Sequence, residues 1–133
     1  MLLLKSPGGS AYPYYYKGGT FLGLHYGSFF KDEEALLARI RAEEQFIKDS
    51  VRQSLLWIDF YQTRLTDKFL IEFSTSILRL EKHIIKMAIV GCSFRDKRRI
   101  IKLEKKFGWK FPMPVRFFGD PELAKTWLVS DLS

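Results

Sequence analysis

A cysteine and an arginine six residues apart are the clearest candidates for chemistry in this chain. Cysteine-dependent phosphatases use the spacing found between Cys92 and Arg98: backbone N–H groups surround a phosphate, the arginine holds it, and a thiol of lowered pKa attacks. The loop Gly119–Pro121 could supply an acid through Asp120. However, the intervening residues include no glycine. They do include the bulky Phe94, and Asp96, whose charge would repel phosphate. We expect no enzyme, and a Cys-dependent phosphatase-like activity is the weakest alternative.

Basic residues are concentrated in one stretch and could bind an anion or an acidic protein. The chain carries a net charge of +7, and residues 93–110 hold eight of its 22 Lys and Arg but two of its 15 acidic residues. Helices predicted to begin at Thr66 and Ser93 would add free backbone N–H groups. The alternative is ordinary helix caps and solvated cations. The candidate partner-binding residues are Arg64, Thr66, Ser93, Arg95, Arg98, Arg99, Lys102 and Lys106.

Large aromatic residues suggest a second kind of site. A pocket lined by Trp57, Tyr61, Phe73 and Phe117 would take a small anionic or lipid-like ligand, and this is the alternative function. Asp59 has no second carboxylate or nucleophile at a telling spacing, so acid–base catalysis is not expected. His25 and His83 have no partners at metal-ligand spacing, and we expect no metal or cofactor.

A buried strand at Leu55–Tyr61 organises these candidates, because it carries one charge among large apolar side chains. Thr66 predicts the cap of a helix reaching about His83, and Ile85–Val90 predicts the next strand. Ser93 with Asp96 resembles a capping box, and Gly108 is a natural helix end.

The remaining elements complete an alternating order. The predicted elements are a hairpin of Tyr12–Tyr16 and Thr20–Tyr26, a helix from Asp32 to Val51, a strand at Val115–Phe118, and a helix capped by Asp120. This order predicts an α/β protein with a mixed five-stranded sheet and about four helices. We expect a flexible tail over residues 1–11 and a single domain over 12–133.

Composition favours a soluble cytoplasmic protein. Apolar residues make up 47% of the chain, the opening MLLLK is too short for a signal sequence, and the one cysteine excludes an internal disulfide. No apolar run reaches the roughly 18 residues of a spanning helix. Nucleic acid is not the expected partner, since a solvated basic helix face is the commoner case. An exposed hairpin edge would permit a homodimer.

Three stretches resemble STAS domains and the related SpoIIAA-like family: LLWIDFYQTRLT, KMAIVGCS and VRFFGDPELAKTWL, which lie within about residues 52–130. The resemblance implies a non-enzymatic regulatory or protein-interaction module of a bacterial cytoplasm. In the family's anti-sigma-factor antagonists, a phosphorylatable serine follows an aspartate where the helix after the central strand begins. Here that position falls near Lys68, beside Thr66 and Asp67. A phosphorylation switch is therefore not expected.

Overall fold

Four parallel strands lie side by side in the order in which they occur in the chain. The structure, a computed structural model, describes residues 3–29 and 31–130. Its strands are β1 (Leu4–Lys5), β2 (Ala11–Tyr12), β3 (Tyr14–Tyr16), β4 (Gly19–His25), β5 (Ser54–Asp59), β6 (Ile84–Val90) and β7 (Val115–Phe118). Its helices are α1 (Glu33–Ser50), α2 (Asp67–Arg79), α3 (Phe94–Phe107) and α4 (Pro121–Leu128), with a 3-10 turn at Glu81–His83.

The main sheet has the order β3-β4-β5-β6-β7, in which β3 is antiparallel to β4 and the other pairs are parallel. The predicted α/β class with a mixed five-stranded sheet is confirmed, and β5 lies in the middle as expected. The order of the parallel strands does not reverse within this sheet, unlike that of doubly wound sheets, which bind ligands where the order reverses.

Three helices cover one face of the sheet and the last helix covers the other. Right-handed crossovers that step in one direction place their helices on the same side. Accordingly, buried residues of α1, α2 and α3 share a core cluster with Leu56, Ile58 and Met87 of the strands. The opposite face presents Trp57 and Ala88 to α4, in a smaller cluster. Each strand therefore contributes alternate residues to two different layers.

Local caps determine where the helices begin, as the sequence predicts. The side chains of Asp32, Thr66, Ser93 and Asp120 each accept a hydrogen bond from a backbone N–H in the first turn of the following helix. Gly108 ends α3 in the left-handed conformation at φ 70°. The predicted extent of α2 was too long, because the helix ends at Arg79.

The segment predicted to be a flexible tail contains defined contacts in its described part. Strands β1 and β2 pair with each other, Ser6 is buried, and the N–H of Gly8 donates to Oε1 of Glu43 at 3.0 Å. Flexibility itself stays a prediction. Within the described ranges, no helix is both long enough and apolar enough to cross a membrane.

Candidate functional site

The loops that leave β5 and β6 meet at one edge of the sheet, because parallel strands end on the same side. They form a cavity of about 520 Å³. Its lining includes four of the eight predicted partner-binding residues, Arg64, Thr66, Arg95 and Arg99, together with Leu65 and Asp67. The fold thus brings the start of α2 and the start of α3 together, as the candidate site requires.

Arg99 of α3 connects the two sides of this cavity. Its guanidinium donates to Oδ1 of Asp67 at 2.6 Å and to Oδ1 of Asp96 at 3.3 Å, and it also bonds the carbonyl of Leu65. Thr66 is likewise engaged, because its hydroxyl oxygen accepts from the N–H of Phe69 at 3.1 Å. These groups fix the two helix starts relative to each other. Among the predicted cations of the cavity, Arg64 and Arg95 are the exposed ones.

Ser93 belongs to the cap of α3 and does not line the cavity. Its hydroxyl oxygen accepts from the N–H of Asp96 at 3.1 Å, and the Asp96 carboxylate accepts from the N–H of Ser93 at 3.3 Å. The other three predicted residues, Arg98, Lys102 and Lys106, are exposed along α3. Four of the eight residues therefore line the cavity, three lie along the adjoining helix face, and Ser93 caps that helix.

That helix face also exposes apolar side chains, which was not predicted from the sequence. Phe94 is 72% exposed and Ile101 is 44% exposed. The inward face of the same helix buries Ile100 and Leu103. The signal was present in the sequence: a helix needs one apolar stripe for its core, and Phe94 and Ile101 lie off that stripe.

The predicted aromatic pocket is not one pocket, and here the structure corrects the expectation. Trp57 and Tyr61 line a cavity of about 290 Å³. Phe73 lies in the core cluster on the other sheet face, and Phe117 packs against that same cluster. The reason is strand alternation, since Trp57 points away from the face that α2 covers. The remaining lining residues of the cavity are Asp59, Val90, Gly91, Gly119 and Pro121.

The loop after β6 lacks the geometry of a phosphatase cradle. The helix α3 begins at Phe94, so most residues between Cys92 and Arg98 are helical instead of wrapping around an anion. Burial raises the pKa of the Cys92 thiol to about 12, and the charge of Asp96 adds to this effect. A thiol in this environment stays protonated near neutral pH.

The other singled-out polar residues make structural contacts. Nδ1 of His83 lies 2.6 Å from the carbonyl oxygen of Val51. Oδ1 of Asp59 accepts from the N–H of Tyr61 at 2.8 Å, which stabilises the turn after β5. Burial lowers the pKa of His25, an effect that Asp59 partly offsets. Within residues 3–29 and 31–130, no three His, Cys, Asp or Glu side chains are grouped so that they could hold a metal ion.

A buried glutamate on α1 escaped the sequence analysis. Glu43 is 0% exposed, and desolvation raises its pKa to about 7 although Gly8 and Arg39 act in the opposite direction. The signal was its position, because Leu36, Ile40, Glu43 and Ile47 follow the 4, 3, 4 spacing of a core stripe. The neighbouring Glu44 instead accepts hydrogen bonds from Ser76 and Arg79 of α2.

Comparison with known proteins identifies no relative: the chain matches no family model, no curated protein sequence and no solved structure.

Proposed function

We propose that this protein is a non-enzymatic regulatory module that binds an acidic protein surface. The contact region is α3 together with the adjoining cavity at the start of α2, hereafter the basic surface. It comprises Arg64, Arg95, Lys97, Arg98, Lys102, Lys105 and Lys106. The STAS/SpoIIAA-like resemblance supports the same class of function. It rests on the strand–loop–helix order within about residues 52–130 of this chain.

One observation carries the proposal. Lys97, Arg98 and Lys102 are exposed on α3, and within the described part of the chain no carboxylate lies within 4.0 Å of their charged groups. Arg99 and Asp67 show that such pairing is available nearby, at 2.6 Å. A cluster of unpaired cations attracts an acidic partner and speeds its association.

The proposal is tested with a labelled oligoglutamate peptide and two charge-matched variants. Arg98→Glu with Lys102→Glu reverses two charges on the basic surface. Lys31→Glu with Lys82→Glu makes the same change in net charge at exposed sites elsewhere. We expect the first variant to weaken binding about tenfold or more in fluorescence anisotropy and the second to weaken it far less.

Salt provides an independent measurement. Binding by the unchanged protein should weaken strongly between about 50 mM and about 500 mM salt, since screening shortens the reach of exposed charges. Equal losses in the two variants would mean that net charge alone attracts the peptide, and would contradict a specific surface.

A second candidate function is binding of a small ligand, favoured by the cavity that Trp57 and Tyr61 line. Its volume of about 290 Å³ lies just below the usual range for small-molecule sites, which begins at about 300 Å³. Native mass spectrometry of the purified protein tests this directly. A co-purified mass that disappears in the variant Trp57→Ala, but not in Trp109→Ala, would support it.

A homodimer through the sheet edge stays a prediction. The edge strand β3 is three residues long, and Tyr14 on it is exposed.

A further inference from the structure

The exposed line of α3 alternates apolar and cationic residues. Phe94 and Ile101 are seven residues apart, which places them within about 20° of each other around the helix. Arg98 and Lys105 fall on the same line, so the order along it is Phe94, Arg98, Ile101, Lys105 at 4, 3, 4 spacing. All four side chains are exposed. We call these four residues the α3 ridge.

This spacing is the one that a helix presents to another helix. Residues alternating three and four apart form a continuous seam along one side, and a second helix can pack against that seam over its length. The ridge extends over eleven residue steps, or about 16 Å. A facing helix of roughly three turns would cover it.

The mixture of side chains sets the chemistry of the facing helix. Burying an aromatic or aliphatic side chain of this size is worth on the order of tenfold or more in affinity. Burying Arg98 and Lys105 is favourable only if carboxylates meet them. The facing helix therefore needs apolar residues opposite Phe94 and Ile101, and acidic residues opposite the two cations.

Other macromolecules fit the ridge less well. Single-stranded nucleic acid stacks its bases on aromatic rings, whereas Ile101 offers no ring and the Arg98 guanidinium lies 4.7 Å from the centroid of Phe94. A membrane-surface helix keeps its cations on the face opposite its apolar stripe. Here Arg98 and Lys105 interrupt the stripe itself.

We propose that the partner of the basic surface is an acidic amphipathic helix that packs along the α3 ridge, with its apolar residues against Phe94 and Ile101. This inference rests on the proposed function and adds to it the kind of partner segment that the surface recognises.

The test uses two helical peptides of equal length and equal negative charge. One carries glutamates with leucines at alternating three- and four-residue spacing, and the other carries alanine in place of every leucine. We expect the unchanged protein to bind the leucine peptide about tenfold or more tightly than the alanine peptide. The variant Phe94→Ala with Ile101→Ala should lose this preference and still bind both peptides weakly. A Leu123→Ala variant, which removes an exposed apolar side chain on α4, should keep the preference.

The outcomes separate this inference from the proposed function. If both peptides bind equally to the unchanged protein and the Arg98→Glu, Lys102→Glu variant loses both, the acidic-partner function stands and the helix inference is overturned. If neither peptide binds, both fail. If a single-stranded oligonucleotide or vesicles of anionic lipid bind at lower concentrations than the leucine peptide, in a manner that needs Phe94, the helical protein partner is overturned in their favour.

Discussion

The backbone N–H of Gly8 donates to a carboxylate oxygen of Glu43 at 3.0 Å, across 35 residues of sequence. This bond ties the N-terminal segment to the middle of α1. The other carboxylate oxygen of Glu43 is buried and has no hydrogen-bond partner among the described residues. Burying an ionised carboxylate with an oxygen left unpaired costs free energy, so we expect the stability of the folded protein to depend on pH.

Glu43 should make the protein less stable as pH rises. Its pKa is about 7 in the folded protein, against 4.5 for an unperturbed glutamate. Its stabilising contribution is therefore complete below its unfolded pKa and is lost as pH rises through 7. The loss is on the order of 3 kcal/mol. Urea unfolding at about pH 5 and about pH 8 measures it.

The variant Glu43→Gln isolates this effect, because it removes the charge and keeps an acceptor for Gly8. The decrease in stability toward high pH should shrink in this variant and persist in Glu34→Gln, whose side chain is exposed. Burial lowers the pKa of His25 below its usual 6.5, and this acts in the opposite direction because the neutral form is favoured on folding. The difference between the two proteins is therefore the informative quantity. An unchanged pH profile in Glu43→Gln would contradict the assignment.

Any side chain at Gly91 should destabilise the protein, because this residue ends β6 close to the backbone of the turn after β5. It has φ +87°, and a Cβ there would lie 2.5 Å from the backbone nitrogen of Tyr61. Backbone atoms cannot yield as a flexible side chain can, so Gly91→Ala should lower the free energy of unfolding by about 2–4 kcal/mol. Gly119→Ala is the matched control, because among the described residues no atom beyond its chain neighbours lies within 4 Å of its added Cβ, and its φ lies outside the left-handed range. Equal effects of the two substitutions would refute this account.

Phe73 should be a core residue and not a ligand contact. It is 1% exposed, and its ring centroid lies 5.1 Å from that of Phe60 and 6.0 Å from those of Tyr26 and Phe69. Phe73→Ala should destabilise the protein by about 3–5 kcal/mol, since it removes a buried ring and leaves a cavity. Tyr61→Ala, at a residue 63% exposed, should cost less than about 1 kcal/mol. Thermal unfolding measures the loss of stability in both variants. A larger loss in Tyr61→Ala than in Phe73→Ala would contradict this prediction.

Cys92 should react slowly in the folded protein. With its pKa raised to about 12, the thiolate fraction near pH 8 is on the order of 10⁻⁴. Reaction with an aromatic disulfide reagent should therefore be at least about a hundredfold slower in the native protein than in urea, where the same thiol titrates normally. A rapid native reaction would show an accessible thiolate and would reopen a chemical role for Cys92.

The sequence by itself determined the elements and their order. Capping residues such as Thr66 and Ser93 act within one helical turn, and the apolar run of β5 marks a buried strand, so these signals are readable locally. Alternation of strands and helices then predicts a sheet with parallel crossovers. The basic character of α3 was equally visible, since charge is a property of composition.

Only the tertiary structure decided which side chains meet. Trp57 and Phe73 are both large aromatic residues that the sequence places in one candidate pocket. In the structure, Trp57 of β5 packs on the sheet face that α4 covers, and Phe73 of α2 packs on the opposite face. The contact between Gly8 and Glu43 joins residues 35 positions apart, so it forms only when the chain has folded. Which face of α3 stays open depends on where α2 and β7 lie. Long-range packing of this kind is set by the summed burial of the entire chain, and no local pattern records it.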